Sequence, residues 1–179
     1  MSKNGENPVP ERLTNFRAYN EADDLLGTSD VELPSVAYMT EEIKGAGLAG
    51  QVDSPVIGHF QSMSTTINWR TIEKKASDLL KTKAHLLTFR GAQQSYDAAY
   101  GEWKTVPVRL TMRVMPKQLE FGKFEPGTTT DTSTEFEVVY LKLFIDNKEV
   151  LEIDKFNYIC KINGEDVLGP IRVAMGMSA

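Results

Sequence analysis

Two carboxylate pairs, two histidines, one cysteine and a glycine-rich hexapeptide are the groups in this chain equipped to act on a ligand. Glu135 and Glu137, at i and i+2, share one face of a strand, where neighbouring carboxylates can divide general-acid and general-base work. Glu41 and Glu42 form a second acidic pair. Cys160 could serve as a nucleophile if His59 or His85 drew off its proton, since the thiolate is the reactive form. Gly45-Ala46-Gly47-Leu48-Ala49-Gly50 spells G-x-G-x-x-G, the spacing that brings backbone N–H groups to a dinucleotide pyrophosphate.

Each candidate weakens once its surroundings are read. A dinucleotide loop follows a strand and opens a helix, whereas Gln51-Val52-Asp53-Ser54-Pro55 continues this one as more loop. Residues 45–50 therefore predict a small-residue loop between strands, suited to mobility or close backbone approach. Tyr158-Ile159-Cys160-Lys161-Ile162 reads as a strand with its cysteine in the core. No G-x-S-x-G elbow and no H-E-x-x-H or E-x-x-H pair occurs. Acids at i and i+2 on a strand are most simply a solvated face. One cysteine excludes an internal disulfide framework and any multi-cysteine metal site. The expectation is no catalytic constellation, no cofactor and no metal.

The elements that would carry these residues are mostly strands. In residues 105–115, Val106, Val108, Leu110, Met112 and Val114 alternate with Pro107, Arg109, Thr111 and Arg113, a period of two that predicts a half-buried strand. Pro107 cannot donate to a ladder and belongs near a strand start or an edge. Residues 136–145 predict a second strand, apolar on both faces after Val138 and needing cover on each side. Asp146-Asn147-Lys148 turns it into a hairpin with Asn147 in the left-handed region, and Asn163-Gly164 makes another turn. Residues 31–43 and 63–70 are further strands. Residues 71–81 place Ile72, Ala76, Leu79 and Leu80 at helical spacing, with Thr71 to cap and Glu73 in the first turn, predicting one amphipathic helix of about three turns. Residues 1–12 read as a flexible polar arm before a single domain, residues 13–179.

The chain has 179 residues and a net charge of −5, distributed unevenly. Residues 1–60 hold ten acids against four bases, and the remainder fifteen against sixteen. Non-specific nucleic-acid or anionic-membrane binding needs the opposite sign. No basic, apolar leader begins the sequence and no long apolar run follows, so a soluble protein made in the cytosol is expected. Long apolar strands with one helix cannot hide all their faces and edges. The chain must close its own barrel or borrow neighbours as an oligomer.

Several segments carry a resemblance when taken in order. They are residues 41–50 (EEIKGAGLAG), 62–70 (SMSTTINWR), 89–92 (FRGA), 148–158 (KEVLEIDKFNY) and 161–166 (KINGED), with the helix between the second and third. This order resembles the major tail tube protein of contractile-tailed bacteriophages, from about Leu13 to Met175. The resemblance implies a mainly β, sandwich- or barrel-like domain with one amphipathic helix. Six copies would form a ring and lend strands near 31–43, 57–70, 105–115 and 134–145 to a shared barrel. Rings would stack into the inner tube of a contractile tail, a channel for DNA during infection. Gly45, Ala46, Gly47, Leu48 and Gly50 would contact the adjacent ring. Implied partners are other copies, tail sheath, tape measure, baseplate and tail terminator proteins, in a virion tail assembled in the bacterial cytoplasm, with no membrane binding by this chain. DNA must slide without sticking, so Glu32, Glu41, Glu42, Glu135 and Glu137 are expected to face the lumen. Arg109 and Arg113 would pair with these acids or face a neighbouring subunit. Two alternatives remain open at this point: the inner tube of a headless contractile bacteriocin particle that passes ions, or a β-rich binding domain of another kind.

Overall fold

The computed structural model describes residues 6–21, 24–27, 29–45, 47 and 49–177. Twelve strands and two short helices follow in the order β1 (Pro8–Asn20), β2 (Asp24–Leu25), β3 (Ser29–Glu32), β4 (Tyr38–Ile43), β5 (Val52–Phe60), β6 (Ser64–Trp69), α1 (Lys74–Asp78), β7 (His85–Asp97), β8 (Glu102–Glu120), β9 (Thr132–Ile145), β10 (Lys148–Asp154), β11 (Ile159–Ile162), β12 (Glu165–Asp166) and α2 (Gly169–Ala174). One antiparallel sheet runs β12-β11-β10-β9-β8-β7-β1-β2, with β6 also on β9 and β3 on β6. β4 and β5 form a separate two-stranded sheet.

The long strands β8 and β9 make this a sandwich. β9 pairs with β6 over residues 132–137 and with β10 over residues 140–145, while β8 follows its other edge. Register shifts at Arg113/Val114 and Pro116/Gln118 mark bulges, which bend and twist a strand. At the first, Val138 and Val139 are both buried, the Val138 N–H donates to the Met63 carbonyl and the Val139 carbonyl accepts from Lys155. There β9 passes from one layer to the other. Ile67 and Trp69 of β6 share one core with Leu87 and Phe89 of β7, strands that do not pair. Met112, Val114, Phe136 and Leu141 fill the space between. Among the described residues the sheet does not close into a barrel.

Several expectations need revision. Residues 31–43 are two strands, β3 and β4, separated by Leu33-Pro34-Ser35-Val36-Ala37 and paired with different partners. Residues 57–70 likewise divide into β5 and β6. Residues 8–12, assigned to the arm, lie in β1, whose whole length pairs with β7. Pro8 and Pro10 hid this strand, and they are tolerated because that stretch of β1 is an open edge. The helix is five residues, not three turns. Ala76 and Leu79 are buried, but Ile72 is 40% and Leu80 37% exposed. Glu73 occupies the N-cap without a side-chain cap bond, and Thr71 lies outside the helix. So short a helix depends on tertiary contact, here the buried pair and Lys75 donating to the Leu25 carbonyl. A second helix, α2, was unforeseen. Pro170 at its start is the helix signal that sequence reading passed over.

The alternating strand at residues 105–115 is the centre of β8, with Leu110, Met112 and Val114 buried. Pro107 sits where the β9 ladder ends. Its carbonyl accepts from Asp146 on that side, so its missing N–H falls beyond the partner strand. Asp146 (φ 51) and Asn147 (φ 59) both occupy the left-handed region, as do Asn163 and Gly164. These are the two-residue hairpin turns that the sequence signals.

Candidate assembly surfaces

Antiparallel pairing puts directly opposed residues on the same face, so the register assigns every outward side chain. Across β3, β6, β9 and β8, one row reads Glu32, Thr66, Glu135, Gln118, and the next Asp30, Asn68, Ser133, Glu120. Ser64 and Glu137 continue the face. Buried Thr65, Ile67, Phe136 and Thr134 alternate with these residues and point into the core. The fold thus gathers Glu32, Glu135 and Glu137 and adds Asp30 and Glu120, which sequence reading missed. Only strand pairing relates positions so distant in the chain.

The charges on this face are only partly balanced. Lys117 Nζ lies 2.5 Å from Glu135, and Asn68 donates to Glu32 at 3.4 Å. Glu137 accepts from Ser62 Oγ at 2.6 Å and pairs with Lys155 at 3.2 Å. Burial opposes its ionisation, but these donors outweigh it and hold the carboxyl below its usual range.

Glu41 and Glu42 are elsewhere, on the β4–β5 hairpin. Glu42 pairs with Lys44 at 3.0 Å and accepts from Gln51 Nε2. Glu41 is exposed opposite Ser54. The hairpin is anchored at its base by the Tyr38–Phe60 ring contact (4.9 Å) and the Gln61 N–H to Ala37 carbonyl bond. Among the described residues it pairs with no other strand beyond its base, and Met39, Ile43, Val52 and Ile57 remain exposed. The glycine loop is its tip, between strands as expected. Gly45, Gly47 (φ 99) and Gly50 have open space around them, while Ala46 and Leu48 lie outside the described residues.

Arg109 and Arg113 do not reach these acids. They sit on the outer face of the other layer, over the rings of Phe144 and Tyr140. Cys160 is buried among core residues, and burial pushes its thiol up, away from the reactive thiolate. His59 is exposed on β5, and His85 is buried with Nε2 near the Lys81 carbonyl. The described residues thus present three surfaces: an acidic sheet face, an unpaired hairpin and an open edge along β1.

Comparison with known proteins accords with such surfaces. The family described as phage tail tube protein FII matches residues 10–176. The tail tube protein of Escherichia phage P2 is 28% identical over 82% of this chain and 86% of its own length. The major tail tube protein of Serratia phage KSP20 is 26% identical over 94% of this chain and 96% of its own. With nearly its whole described length matched, this chain belongs to the phage tail tube protein FII family of structural tail components.

Proposed function

We propose that six copies of this chain close into a ring, and that rings stack into the inner tube of a contractile tail through which DNA passes. The observation that carries the reading is the β4–β5 hairpin. A two-stranded sheet exposed on both faces is marginal alone and gains order by pairing into a larger sheet. A ring supplies that partner and closes the open edges. The hairpin tip, Gly45, Gly47 and Gly50 with Ala46 and Leu48, reaches the adjacent ring. The acidic face of β3, β6, β9 and β8 lines the channel with Glu32, Glu135 and Glu137, and Glu41 and Glu42 extend that wall on the hairpin. A wall of carboxylates repels phosphate, so DNA is cargo without being a ligand. Position in a tail makes sheath, tape measure, terminator and baseplate proteins the remaining partners.

Negative-stain electron microscopy of the purified protein tests the ring and tube, and a strict monomer at high concentration overturns it. The lumen assignment has its own test. Tubes of Glu32→Lys/Glu135→Lys should retain DNA in a salt-sensitive way where wild-type tubes retain none. Equal DNA release by both would put these acids elsewhere.

A further inference from the structure

The outer face of the second layer carries a row of arginines. Arg17 lies directly opposite Arg90 across β1 and β7, and Arg90 directly opposite Arg109 across β7 and β8. Arg113 shares their face, four residues along β8. All four are exposed. Like charges at directly opposed positions destabilise a sheet. Among the described residues, none of the four has a carboxylate in ion-pair contact, whereas Lys104, Lys117, Lys142, Lys155 and Lys161 each have at least one. In a protein of net charge −5, these four cations have no directly paired carboxylate, the nearest acids by register, Glu149 and Asp154, lying one strand beyond Phe144 and Tyr140.

Three of the four guanidinium groups also lie over aromatic rings. Arg90 Cζ lies 5.4 Å from the ring centre of Tyr19, Arg109 Cζ 4.3 Å from that of Phe144, and Arg113 Cζ 5.9 Å from that of Tyr140. Stacking covers one side of the planar group and leaves its N–H edge free. A pre-placed guanidinium fork matches a carboxylate with two parallel hydrogen bonds. A row of them is the complement of an acidic protein segment.

We infer that Arg17, Arg90, Arg109 and Arg113 form the docking surface for a carboxylate-rich segment of the protein that encases the tube. The inference rests on the tube reading. The acidic face and the arginine row both turn away from one shared core, so an acidic face lining the channel leaves the arginines on the outside. In the same reading the acids of the sheet face and hairpin of neighbouring copies are on the channel side. Glu149, Glu152 and Asp154 on the outer face are already engaged by Lys142, Lys161 and the turn at Phe156 and Asn157, which favours a different protein as the source of the carboxylates.

The test is co-expression of the full chain with the sheath subunit encoded in the same tail gene cluster, read by electron microscopy and co-pelleting. Wild-type tubes should be sheathed. Arg90→Glu/Arg109→Glu should give tubes of unchanged width that are bare, with sheath co-pelleting reduced about tenfold or more, since two charge-assisted contacts are lost. Arg90→Lys/Arg109→Lys should fall between the two. Thermal melting should leave the Glu variant no less stable than wild type, because it relieves repulsion. Sheathing equal to wild type overturns the inference. A folded Glu variant that builds no tubes makes the row a contact between copies instead. Arginine-dependent binding of a short DNA duplex at physiological salt would make it a nucleic-acid surface. Wild-type protein that forms no rings or tubes would overturn the tube reading itself, and this inference with it.

Discussion

Asp97 ties the start of the chain to the hairpin between β7 and β8. Its side chain is 1% exposed and accepts from the Asn7 N–H at 3.2 Å, the Ala99 N–H at 3.1 Å and Lys104 Nζ at 3.0 Å, and the same ammonium reaches Glu6 at 3.0 Å. The Lys104 ammonium holds the Asp97 carboxyl below its usual range, against the opposing effect of burial. A carboxylate whose folded pKa is depressed contributes stability that is complete above its unfolded pKa, about 3.9, and disappears as pH falls through the folded value. Asp97→Asn should therefore lower the melting temperature at pH 7, and the gap to wild type should close on acidification below about pH 4. A constant gap across that range would show that the amide loses packing or hydrogen bonds, not charge. None of this was legible in the sequence, because Asp97 meets Asn7 only after β1 has paired along β7. Asn147 and Asn163-Gly164, by contrast, were readable, since a two-residue turn states its backbone requirement locally. The acids proposed for the lumen lie between these cases. Their type and the i, i+2 spacing of Glu135 and Glu137 were visible, but the shared face with Glu32 needed the β3–β6–β9 register.

Elements were legible where their periodicity was local and uninterrupted. The alternation at residues 105–115 and the apolar run at residues 136–145 named β8 and β9, the two strands that organise both layers. β1 and β7 went unread, although Leu87 and Phe89 alternate with Thr88 and Arg90, because Pro8, Pro10, Gly91 and Gln93-Gln94 mask the rest of their pattern. The last dozen residues are not an appendage that could be removed with the fold spared. Leu168 is instead 2% exposed and part of the core, Ile171 packs against that core, and Arg172 pairs with Asp166 and donates to the Tyr158 carbonyl. Leu168 also lies beneath Gly58 at the hairpin base, where an added Cβ would meet it at 2.7 Å. Truncation after Val167 should cost about 2–5 kcal/mol, as loss of a buried leucine does, and urea denaturation would measure it. Truncation after Met175 removes no buried side chain among the described residues and should leave the midpoint unchanged. If both shortened chains unfold alike, α2 is not what the core requires.

At the scale of the whole molecule, the uneven charge first seen in composition acquires positions. The acidic excess of residues 1–60 includes Asp30 and Glu32 on one sheet face and Glu41, Glu42 and Asp53 on the hairpin, while the arginines occupy the face of the other layer. Such a molecule has distinct sides, and a homopolymer needs them to fix which way each copy points. The hairpin is the element whose exposure a monomer cannot account for, because Ile57 is 64% and Val52 54% exposed on strands that pair only with each other. Its proposed assembly role can be separated from its folding role by shortening it. Ile43 lies opposite Val52, so replacing residues 44–51 with Asn-Gly should close the hairpin with a two-residue turn while keeping the register below. The tip touches nothing at Gly45, Gly47 or Gly50, so stability should change by no more than about 0.5 kcal/mol. Rings should still form through the retained strands, but stacking should fail, leaving isolated rings in micrographs and a loss of fast-sedimenting tubes. Tubes of normal length from the shortened chain would place the contact between rings somewhere other than residues 45–50. Loss of rings as well as tubes would show that the tip also positions the hairpin against the neighbouring subunit.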